Sequence, residues 1–237
     1  NLKNIILENY KKRGNLVVPI FSLERTQEFL YEINEMVESG EVPSMPVFVD
    51  SPLAIKVTDI FYKHKDLFKD SVKKDINSGD DIFKFKGLKE TERTEDSKAI
   101  LNAKSPKIIM AGSGMSAGGR IMHHEKNYLG DANSTILMTG FQTPGTPGRL
   151  LLDGAKELQI FRETVRVRAT VKKIQGYSGH KDMDNLLEFV SHIKGAKKIF
   201  VAMGEPRVSM FLAQKIKDNF GMNAVVPEQN QIVELDF

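Results

Sequence analysis

The residues best suited to chemistry lie in a short turn, Ser178-Gly179-His180, between a predicted strand and a predicted helix. The start of a helix exposes backbone N–H groups and the positive end of the helix dipole, which favour an anion. A serine hydroxyl there would donate to a phosphate oxygen, and a histidine would give a proton to a leaving oxygen. The same pattern also suits a serine that caps a helix beside an exposed histidine, so spacing alone leaves both interpretations open.

A second candidate is the glycine-rich stretch of residues 112–120, GSGMSAGGR, which follows a predicted strand. Glycines allow the backbone to approach a ligand closely, and Arg120 at the end of the stretch would reach a phosphate. Neither a Walker motif nor the dinucleotide-binding glycine spacing is present, so a standard nucleotide-binding loop is not indicated. A tight strand-to-helix turn without a ligand is the alternative.

Other polar residues have competing structural interpretations. Asp50 follows a predicted buried strand and is expected to cap the next helix, whereas Arg25 is either a phosphate contact or half of an ion pair. Adjacent helical residues point about 100° apart, which argues against a metal shared by His123 and His124. The basic stretch of residues 166–173, RVRATVKK, suits a surface that follows phosphates or a solvated strand face.

Alternating strand and helix signals position these residues. Short apolar runs at residues 15–21, 46–50, 107–111 and 135–140 are typical of strands buried on both faces. Ser22 is expected to cap the helix after the first strand, and the Ser51-Pro52 pair to open the next one. This alternation predicts an α/β fold with a mostly parallel sheet and flanking helices.

The pattern changes near residue 157. Residues 157–174 alternate apolar and polar side chains, which predicts antiparallel strands with one face in water. A helix at residues 183–193, a strand near Phe200, a helix that ends at Gly221 and short closing strands are expected to follow. The less regular segment of residues 69–103 is expected to cover an edge of the sheet.

Composition limits the class of protein. The 237 residues are 41% hydrophobic, which allows a sizeable core, and the net charge of +3 is too small to establish a nucleic-acid partner. The absence of cysteine excludes disulfides and thiolate metal sites and favours a reducing, cytoplasmic location. No apolar run approaches the ~20 residues of a membrane helix. With no signal peptide and no initiator methionine, we expect a piece whose N-terminus lies upstream.

Six stretches resemble, in order, the β-CASP family of metallo-β-lactamase-fold nucleases, which process RNA and DNA. They are residues 17–30 (VVPIFSLERTQEFL), similar to the β-CASP opening; 48–54 (FVDSPLA), similar to its next strand and turn; 108–124 (IIMAGSGMSAGGRIMHH), similar to its "sGM…GGR" turn; 136–152 (ILMTGFQTPGTPGRLLL), similar to its "GYQ…GTLGR" segment; 176–182 (GYSGHKD), similar to its "GFSAHAD" motif; and 202–206 (AMGEP), similar to its "VHGEP" motif. Each motif alone is modest, but the ordered set spans essentially the whole chain.

The resemblance implies a domain organisation and a set of site residues. Residues 1–160 would form the β-CASP domain, and residues 161–237 would form the returning C-terminal segment of a metallo-β-lactamase domain whose N-terminal half is absent. His180 would be the motif B histidine, a general acid near the scissile phosphate, and Ser178 would contact a phosphate. The further candidate nucleic-acid contacts are Arg25, Ser116, Arg120 and Arg149.

The resemblance also implies a zinc-dependent active site that this chain cannot complete alone. The family's His-x-His-x-Asp-His motif, its later His and Asp ligands and its acidic motif A would all lie upstream. Met203 stands where motif C has a histidine ligand, and a thioether is a poor zinc ligand beside nitrogen and oxygen donors. We therefore expect zinc in the full-length protein, no metal ligand and no bound zinc in this chain alone, and no nuclease activity from it.

The leading hypothesis is a fragment of a metal-dependent RNA-processing nuclease that supplies a substrate clamp and the motif B histidine. Its expected partners are single-stranded RNA, with DNA as the alternative, and the upstream metallo-β-lactamase half; a homodimer is a further option, and no membrane partner is expected. The alternative from another class is a catalytically degenerate module that binds nucleic acid or a partner protein. An unrelated nucleotide-binding α/β enzyme is disfavoured by the missing phosphate-loop motifs.

Overall fold

The computed structural model describes residues 1–234, which form two compact units, Asn1–Ser178 and the described part of Gly179–Phe237. The strands of the first unit are β1 (Asn15–Pro19), β2 (Val47–Asp50), β3 (Leu88–Glu90), β4 (Lys107–Ala111), β5 (Thr135–Met138), β6 (Glu157–Ile160), β7 (Glu163–Arg166) and β8 (Thr170–Lys173). Its helices are α1 (Leu2–Lys11), α2 (Arg25–Glu38), α3 (Pro52–Lys63), α4 (Asp70–Asn77), α5 (Thr94–Ala99), α6 (Ile121–Tyr128) and α7 (Pro147–Leu152), with 3₁₀ turns at Lys65–Leu67 and Ile100–Asn102.

Six strands form the large sheet in the order β3-β2-β4-β1-β5-β8, and every neighbouring pair is parallel. The register places Val17 of β1 opposite Ile109 of β4 and Ile136 of β5. All residues of β1, β2, β4 and β5 are buried, because helices cover both faces, and this explains their continuous apolar runs. The predicted α/β fold with a mostly parallel sheet and flanking helices is confirmed.

The core of the first unit lies on both faces of the sheet, because side chains alternate along each strand. Leu16 and Val18 of β1 pack with residues of α1, α2 and α3, whereas Val17 packs with residues of α6 and α7. Phe29 of α2 and Ile121 of α6 are fully buried, one on each face. Burying one such side chain contributes roughly 1.5–3 kcal/mol, so both helix layers are firmly attached to the sheet.

The strand order changes direction between β1 and β4. From β1 the chain moves outward through β2 to the edge strand β3, and from β4 it moves the other way through β5 to β8. The helices that follow β1 and β4 lie on opposite faces of the sheet, so the two connections diverge at the carboxyl ends of these strands. Open α/β sheets bind ligands in the crevice at such a switch point, so a ligand of this domain is expected there.

One predicted helix cap is wrong. α2 begins at Arg25 with Glu24 at its N-cap, rather than at a cap formed by Ser22. The chain after β1 turns tightly, with the Arg25 N–H donating to the Leu23 carbonyl at 2.8 Å. The Ser22 hydroxyl lies instead 3.2 Å from that of Ser51, which does cap α3 as predicted.

The stretch of residues 157–174 contains two kinds of strand pairing. β6 and β7 form the predicted antiparallel hairpin. The antiparallel prediction is wrong for β8, which pairs in parallel with β5 and places Thr170 opposite Thr135. The N–H groups of Arg168 and Ala169 donate to the Leu129 carbonyl, and this contact directs the chain to the sheet edge. At the other edge, the segment of residues 69–103 supplies β3 itself.

The second unit is small. It contains α8 (Met183–Ser191), β9 (Ile199–Phe200), α9 (Pro206–Phe220) and β10 (Ala224–Val225), and its two strands pair in parallel. α9 ends as predicted at Gly221, whose φ of 65° is the left-handed conformation common after helices. Of the predicted closing strands, β10 lies within the described residues, and residues 235–237 lie outside them. The core consists of Val190, Val201, Ala213, Ile216 and Ala224.

Several large apolar side chains of the second unit lie at its surface. Phe189 on α8 is 69% exposed, and Met210 and Phe211 on α9 are more than half exposed. A groove beside α9 is lined by backbone and side chains of residues 201–204 and 224–229. Two strands of two residues each cannot cover this apolar surface. Within residues 1–234, none of the helices has the length and apolar character that crossing a bilayer requires.

Candidate nucleic-acid interface

The candidate interface is formed by three segments that follow the carboxyl ends of neighbouring strands: residues 20–25 after β1, residues 112–120 after β4 and residues 139–149 after β5. We call residues 112–120 the glycine turn. Phe21 packs against Gly114, since a Cβ at that glycine would lie 2.7 Å from the phenyl ring. The segments after β1 and β4 therefore meet at the switch point of the sheet.

The glycine turn is folded tightly on itself. The Ser113 N–H donates to the Gly118 carbonyl at 3.0 Å, and the Ile121 N–H donates to the Gly112 carbonyl at 3.0 Å. Gly119 has a φ of 77°, and a Cβ there would lie 2.5 Å from the Gly112 carbonyl oxygen. Both the left-handed backbone and the close approach require glycine at this position. The sequence prediction of a glycine-rich turn that opens a helix is confirmed by α6.

The loop after β5 is bonded to the glycine turn. The Gln142 side-chain amide donates to the Gly114 carbonyl at 2.9 Å, and the Gly148 N–H donates to the Met115 carbonyl at 3.1 Å. A Cβ at Gly148 would lie 2.0 Å from the Gln142 amide oxygen, so the loop and the turn fit together closely. Thr146 caps α7 by accepting from the Arg149 N–H at 3.3 Å. The two motifs therefore form one rigid wall.

Two of the predicted nucleic-acid contacts are arginines of the candidate interface. Arg25 is the first residue of α2, and its side chain is 11% exposed. Its Nη1 lies 3.8 Å from Glu24 and 3.9 Å from Glu28 and has no hydrogen-bond partner within the described residues. Arg149 on α7 donates from Nε to both oxygens of Asp153 at 3.0 Å. Their role as phosphate contacts stays a prediction.

Ser116 of the glycine turn is buried, and its hydroxyl donates to Glu125 Oε1 at 2.5 Å. Glu125 is itself buried, and its Oε2 has no hydrogen-bond partner within residues 1–234. Burial raises the pKa of Glu125 to about 8, although the hydrogen bond from Ser116 acts in the opposite direction. The Ser116 hydroxyl points into the protein in this structure, and its contact with nucleic acid stays a prediction.

Arg120 ends the glycine turn and belongs to a buried network around Asp50. The Asp50 carboxylate accepts from Arg120 Nη1 at 2.8 Å, Thr91 Oγ1 at 2.8 Å and Ser97 Oγ at 2.6 Å, and it lies 2.7 Å from His124 Nε2. Arg120 also donates to the backbone carbonyls of residues 91 and 92. The contact of Arg120 with nucleic acid stays a prediction.

The predicted helix-capping role of Asp50 is wrong, because the side chain of Ser51 caps α3 instead. Burial acts to raise the pKa of Asp50, but the hydrogen bonds from His124, Ser97, Thr91 and Arg120 outweigh it and lower the pKa to about 2. The sequence offered no signal for this network, since its members lie 41 to 74 residues away from Asp50 along the chain.

His123 and His124 point in different directions, as the helical geometry predicts. His124 is buried against Asp50, whereas the exposed His123 ring stacks on Phe161 with ring centroids 4.5 Å apart. Within the described residues, no three His, Asp or Glu side chains are grouped so that they could hold a metal ion. Met203, in the second unit, is fully exposed. A family zinc ion therefore does not fit the donors of residues 1–234.

The turn with Ser178 and His180 spans the end of the first unit and the start of the second. Tyr177, just before it, packs on Phe29 with ring centroids 5.1 Å apart, and its hydroxyl donates to Glu32. Burial, followed by the hydrogen bond to Glu32, raises the pKa of Tyr177. Ser178 and His180 are exposed, and α8 is capped by Asp182 rather than by a serine. Their roles in chemistry stay predictions.

The fold and the site define a doubly wound α/β domain with a rigid glycine turn at its switch point, followed by a small α/β unit. Residues 26–151 match the family model of the Beta-Casp domain, and residues 164–227 match that of the Zn-dependent metallo-hydrolase RNA specificity domain. The first match covers just over half of the 237 residues. The chain belongs to the β-CASP family of metallo-β-lactamase-fold nucleases, which process RNA.

Named relatives agree with this assignment. Ribonuclease TTHA0252 of Thermus thermophilus is 33% identical over 201 residues, which cover 85% of this chain and 46% of the relative. The RNase J-like protein of Methanocaldococcus jannaschii is 30% identical over 230 residues, 97% of this chain and 52% of the relative. Transcription termination factor FttA of Methanosarcina mazei is 26% identical over 223 residues, 91% of this chain and 35% of the relative. The chain thus spans about half the length of the first two proteins and about a third of FttA.

Proposed function

We propose that this chain supplies the substrate-holding part of a zinc-dependent nuclease that cleaves single-stranded RNA. The observation that carries the proposal is the rigid wall at the switch point, where the glycine turn and the loop after β5 are bonded together beside the start of α2. Arg25 at the start of α2 and Arg149 on α7 belong to the candidate interface and would each bind a phosphate. The named ribonuclease relatives support RNA as the substrate.

The catalytic centre would require a metallo-β-lactamase half that carries the zinc ligands. Two observations support this requirement: residues 1–234 hold no group of three metal-binding side chains, and the second unit exposes apolar side chains beside a two-stranded sheet. In this proposal residues 1–160 are the β-CASP domain, and residues 161–237 extend the sheet of the missing half. The relatives' greater length agrees with such a partner segment.

His180 would act as the general acid in this arrangement. Its imidazolium would give a proton to the oxygen that leaves when the phosphodiester bond breaks, while Ser178 would donate a hydrogen bond to a phosphate oxygen. Tyr177 would fix the backbone just before Ser178, because its buried ring and hydroxyl hold it to α2. A cytoplasmic location fits the absence of cysteine, and a homodimer stays one option for the assembly.

A second candidate function is a module that binds RNA without cleaving it. Met203 favours it, because this exposed thioether stands at the position of a histidine ligand in the family motif. The substitution would weaken one zinc site even in a complete protein. The two candidates share the RNA-binding wall and differ in catalysis.

Binding is tested first on the 237-residue chain with a labelled 20-nucleotide RNA, by fluorescence anisotropy at several salt concentrations. Each phosphate neutralised on a single strand contributes about −0.7 to the slope of log K against log salt. Arg25→Ala and Arg149→Ala should each weaken binding and make the slope less negative by about 0.7. Arg13→Ala is the matched control, since Arg13 precedes β1 at the amino ends of the strands, whereas the candidate interface follows their carboxyl ends. Equal effects of all three variants would contradict the proposed wall.

Cleavage is tested on the complete gene product beside the 237-residue chain. We expect chelator-sensitive cleavage by the complete product, loss of cleavage in His180→Ala, and no cleavage by the chain alone. Metal-dependent cleavage by the chain alone would refute the proposal that catalysis requires the metallo-β-lactamase half. RNA binding without cleavage by the complete product, with zinc content restored in Met203→His, would favour the binding module.

A further inference from the structure

A cavity of about 360 Å³ lies between α5 and α6, on the face of the sheet that also carries α7. α5 and the 3₁₀ turn that follows it contribute Thr94, Ser97, Lys98 and Leu101 to its wall. These positions have the spacing i, i+3, i+4 and i+7, so they form one face of the helix. Cavities of this size hold small organic ligands.

The opposite wall comes from α6 and the end of the glycine turn. Arg120, His123, His124 and Asn127 line it, again at the spacing i, i+3, i+4 and i+7. None of the residues that line the cavity is acidic, although residues 92, 95 and 96 nearby are Glu or Asp. Lys98 and Arg120 bring positive charge to the cavity, and although Arg120 also pairs with Asp50, an anionic group suits the site near Lys98.

Asp50 fixes three of the lining residues from beneath. Its carboxylate binds Ser97 of one wall at 2.6 Å and contacts Arg120 and His124 of the other wall at 2.8 and 2.7 Å. Both walls are therefore held in place by one fully buried group. His124 Nδ1 is left buried without a hydrogen-bond partner within residues 1–234, so the site retains an unsatisfied polar atom.

One residue of the cavity lining, His123, is paired with a second aromatic ring. His123 stacks on Phe161, with an angle of 34° between the rings. Phe161 and Arg162 form the two-residue tip of the β6–β7 hairpin, and their positive φ values, 51° and 65°, are those that a tight hairpin turn requires. An aromatic platform beside cationic side chains is the arrangement that binds a base next to its phosphate.

We propose that this cavity is a nucleotide-binding site, with the base against His123 and the phosphate near Lys98. The site shares Arg120 with the glycine turn but is not lined by Arg25 or Arg149, and its occupation does not depend on a completed zinc centre. The shared chemistry of its ligand is an aromatic base joined to a phosphate. A free mononucleotide and one nucleotide of an RNA strand both provide this chemistry.

The test measures binding of AMP, adenosine, inorganic phosphate and decaadenylate to the 237-residue chain by isothermal titration calorimetry. We expect AMP to bind with a Kd below about 1 mM and more tightly than adenosine or phosphate. His123→Ala should weaken AMP binding by about 5-fold to 100-fold, the range of one base stacking on an aromatic ring. His64→Ala is the matched control, since His64 ends α3 on the other face of the sheet.

Two further variants test the proposal in case His123→Ala does not fold. Leu101→Trp fills the cavity from a half-exposed position and should abolish AMP binding, and Asn127→Asp adds a negative charge at an exposed position and should weaken it. If decaadenylate competes with AMP, the ligand is a nucleotide of an RNA strand. If decaadenylate does not compete with AMP, the ligand is a free nucleotide. Failure of AMP to bind, affinity for phosphate equal to that for AMP, or AMP binding unchanged by all three cavity variants would overturn the proposal.

Discussion

Replacing the buried Glu125 with glutamine should change how the stability of the first unit depends on pH. Glu125 lies on α6 beneath the glycine turn and is 1% exposed. Its Oε1 accepts from Ser116, and its Oε2 has no hydrogen-bond partner within the described residues. An ionised carboxylate at such a place is poorly solvated, so burial raises its pKa from an ordinary 4.5 to about 8.

The sign follows from proton uptake. Between pH 4.5 and 8 the unfolded chain has lost the proton of Glu125 while the native protein keeps it, so the free energy of unfolding falls as pH rises. The free energy of unfolding falls by about 1.4 kcal/mol for each pH unit, or by about 5 kcal/mol over the whole window. From pH 5.5 to 7.5 the loss is about 3 kcal/mol, or about 5–11 °C in the melting temperature of a unit of this size. Glutamine has no proton to lose, so Glu125→Gln should lack this loss.

Urea unfolding followed by tyrosine fluorescence suits the measurement. All five tyrosines lie in the first unit and the chain has no tryptophan, so the signal reports that unit alone. The quantity to compare is the difference in unfolding free energy between Glu125→Gln and the parent protein at pH 5.5, 6.5 and 7.5. This difference should grow by about 3 kcal/mol in favour of the variant over that range.

Glu95→Gln on α5 is the matched control, because Glu95 is exposed, and its difference from the parent should not change with pH. A Glu125→Gln difference that stays within about 0.5 kcal/mol from pH 5.5 to 7.5 would refute the reasoning. That result would mean that Glu125 is already ionised in the native protein at pH 5.5, or that water reaches its carboxylate.

Three further outcomes are expected from urea unfolding and RNA binding. Hydrogen bonds outweigh burial and hold the pKa of Asp50 at about 2, below an ordinary 3.8, so this group should cost the parent about 1.8 kcal/mol of unfolding free energy as pH falls from 4 to 2. Asp50→Asn should lack that acid-dependent loss, and equal acid profiles of the two proteins would contradict the network. Gly14→Ala would place a Cβ 1.8 Å from a backbone carbonyl oxygen and should lower the unfolding free energy of the first unit by about 3 kcal/mol or more. A decrease of less than about 1 kcal/mol would show that the backbone shifts to make room for the methyl group. Gly148→Ala should displace Gln142, lower the free energy of unfolding by about 1–3 kcal/mol and weaken RNA binding. Gly118→Ala should lower the free energy of unfolding by less, because a Cβ at Gly118 would have no atom within 4 Å.

Local sequence patterns determined the elements and the family. β4 begins and ends where its apolar run does, and α9 ends at Gly221 as its glycine signal predicts, because both features depend on neighbouring residues. The ordered motifs identified the β-CASP family without any contact information. The glycine turn was likewise visible, since the need for glycine at a tight strand-to-helix connection is local.

Only the tertiary structure decided what the polar residues do. Asp50 reads as a helix cap in the sequence, yet it binds groups 41 to 74 residues away, and no local pattern encodes that choice. β8 alternates like an antiparallel strand, but long-range contacts bring it parallel to β5. Ser116 is a candidate nucleic-acid contact by resemblance, and only the packing reveals that its buried hydroxyl bonds to Glu125. Spacing along the chain specifies secondary structure, while the partners of a side chain, and hence its charge and role, depend on which distant elements the fold brings together.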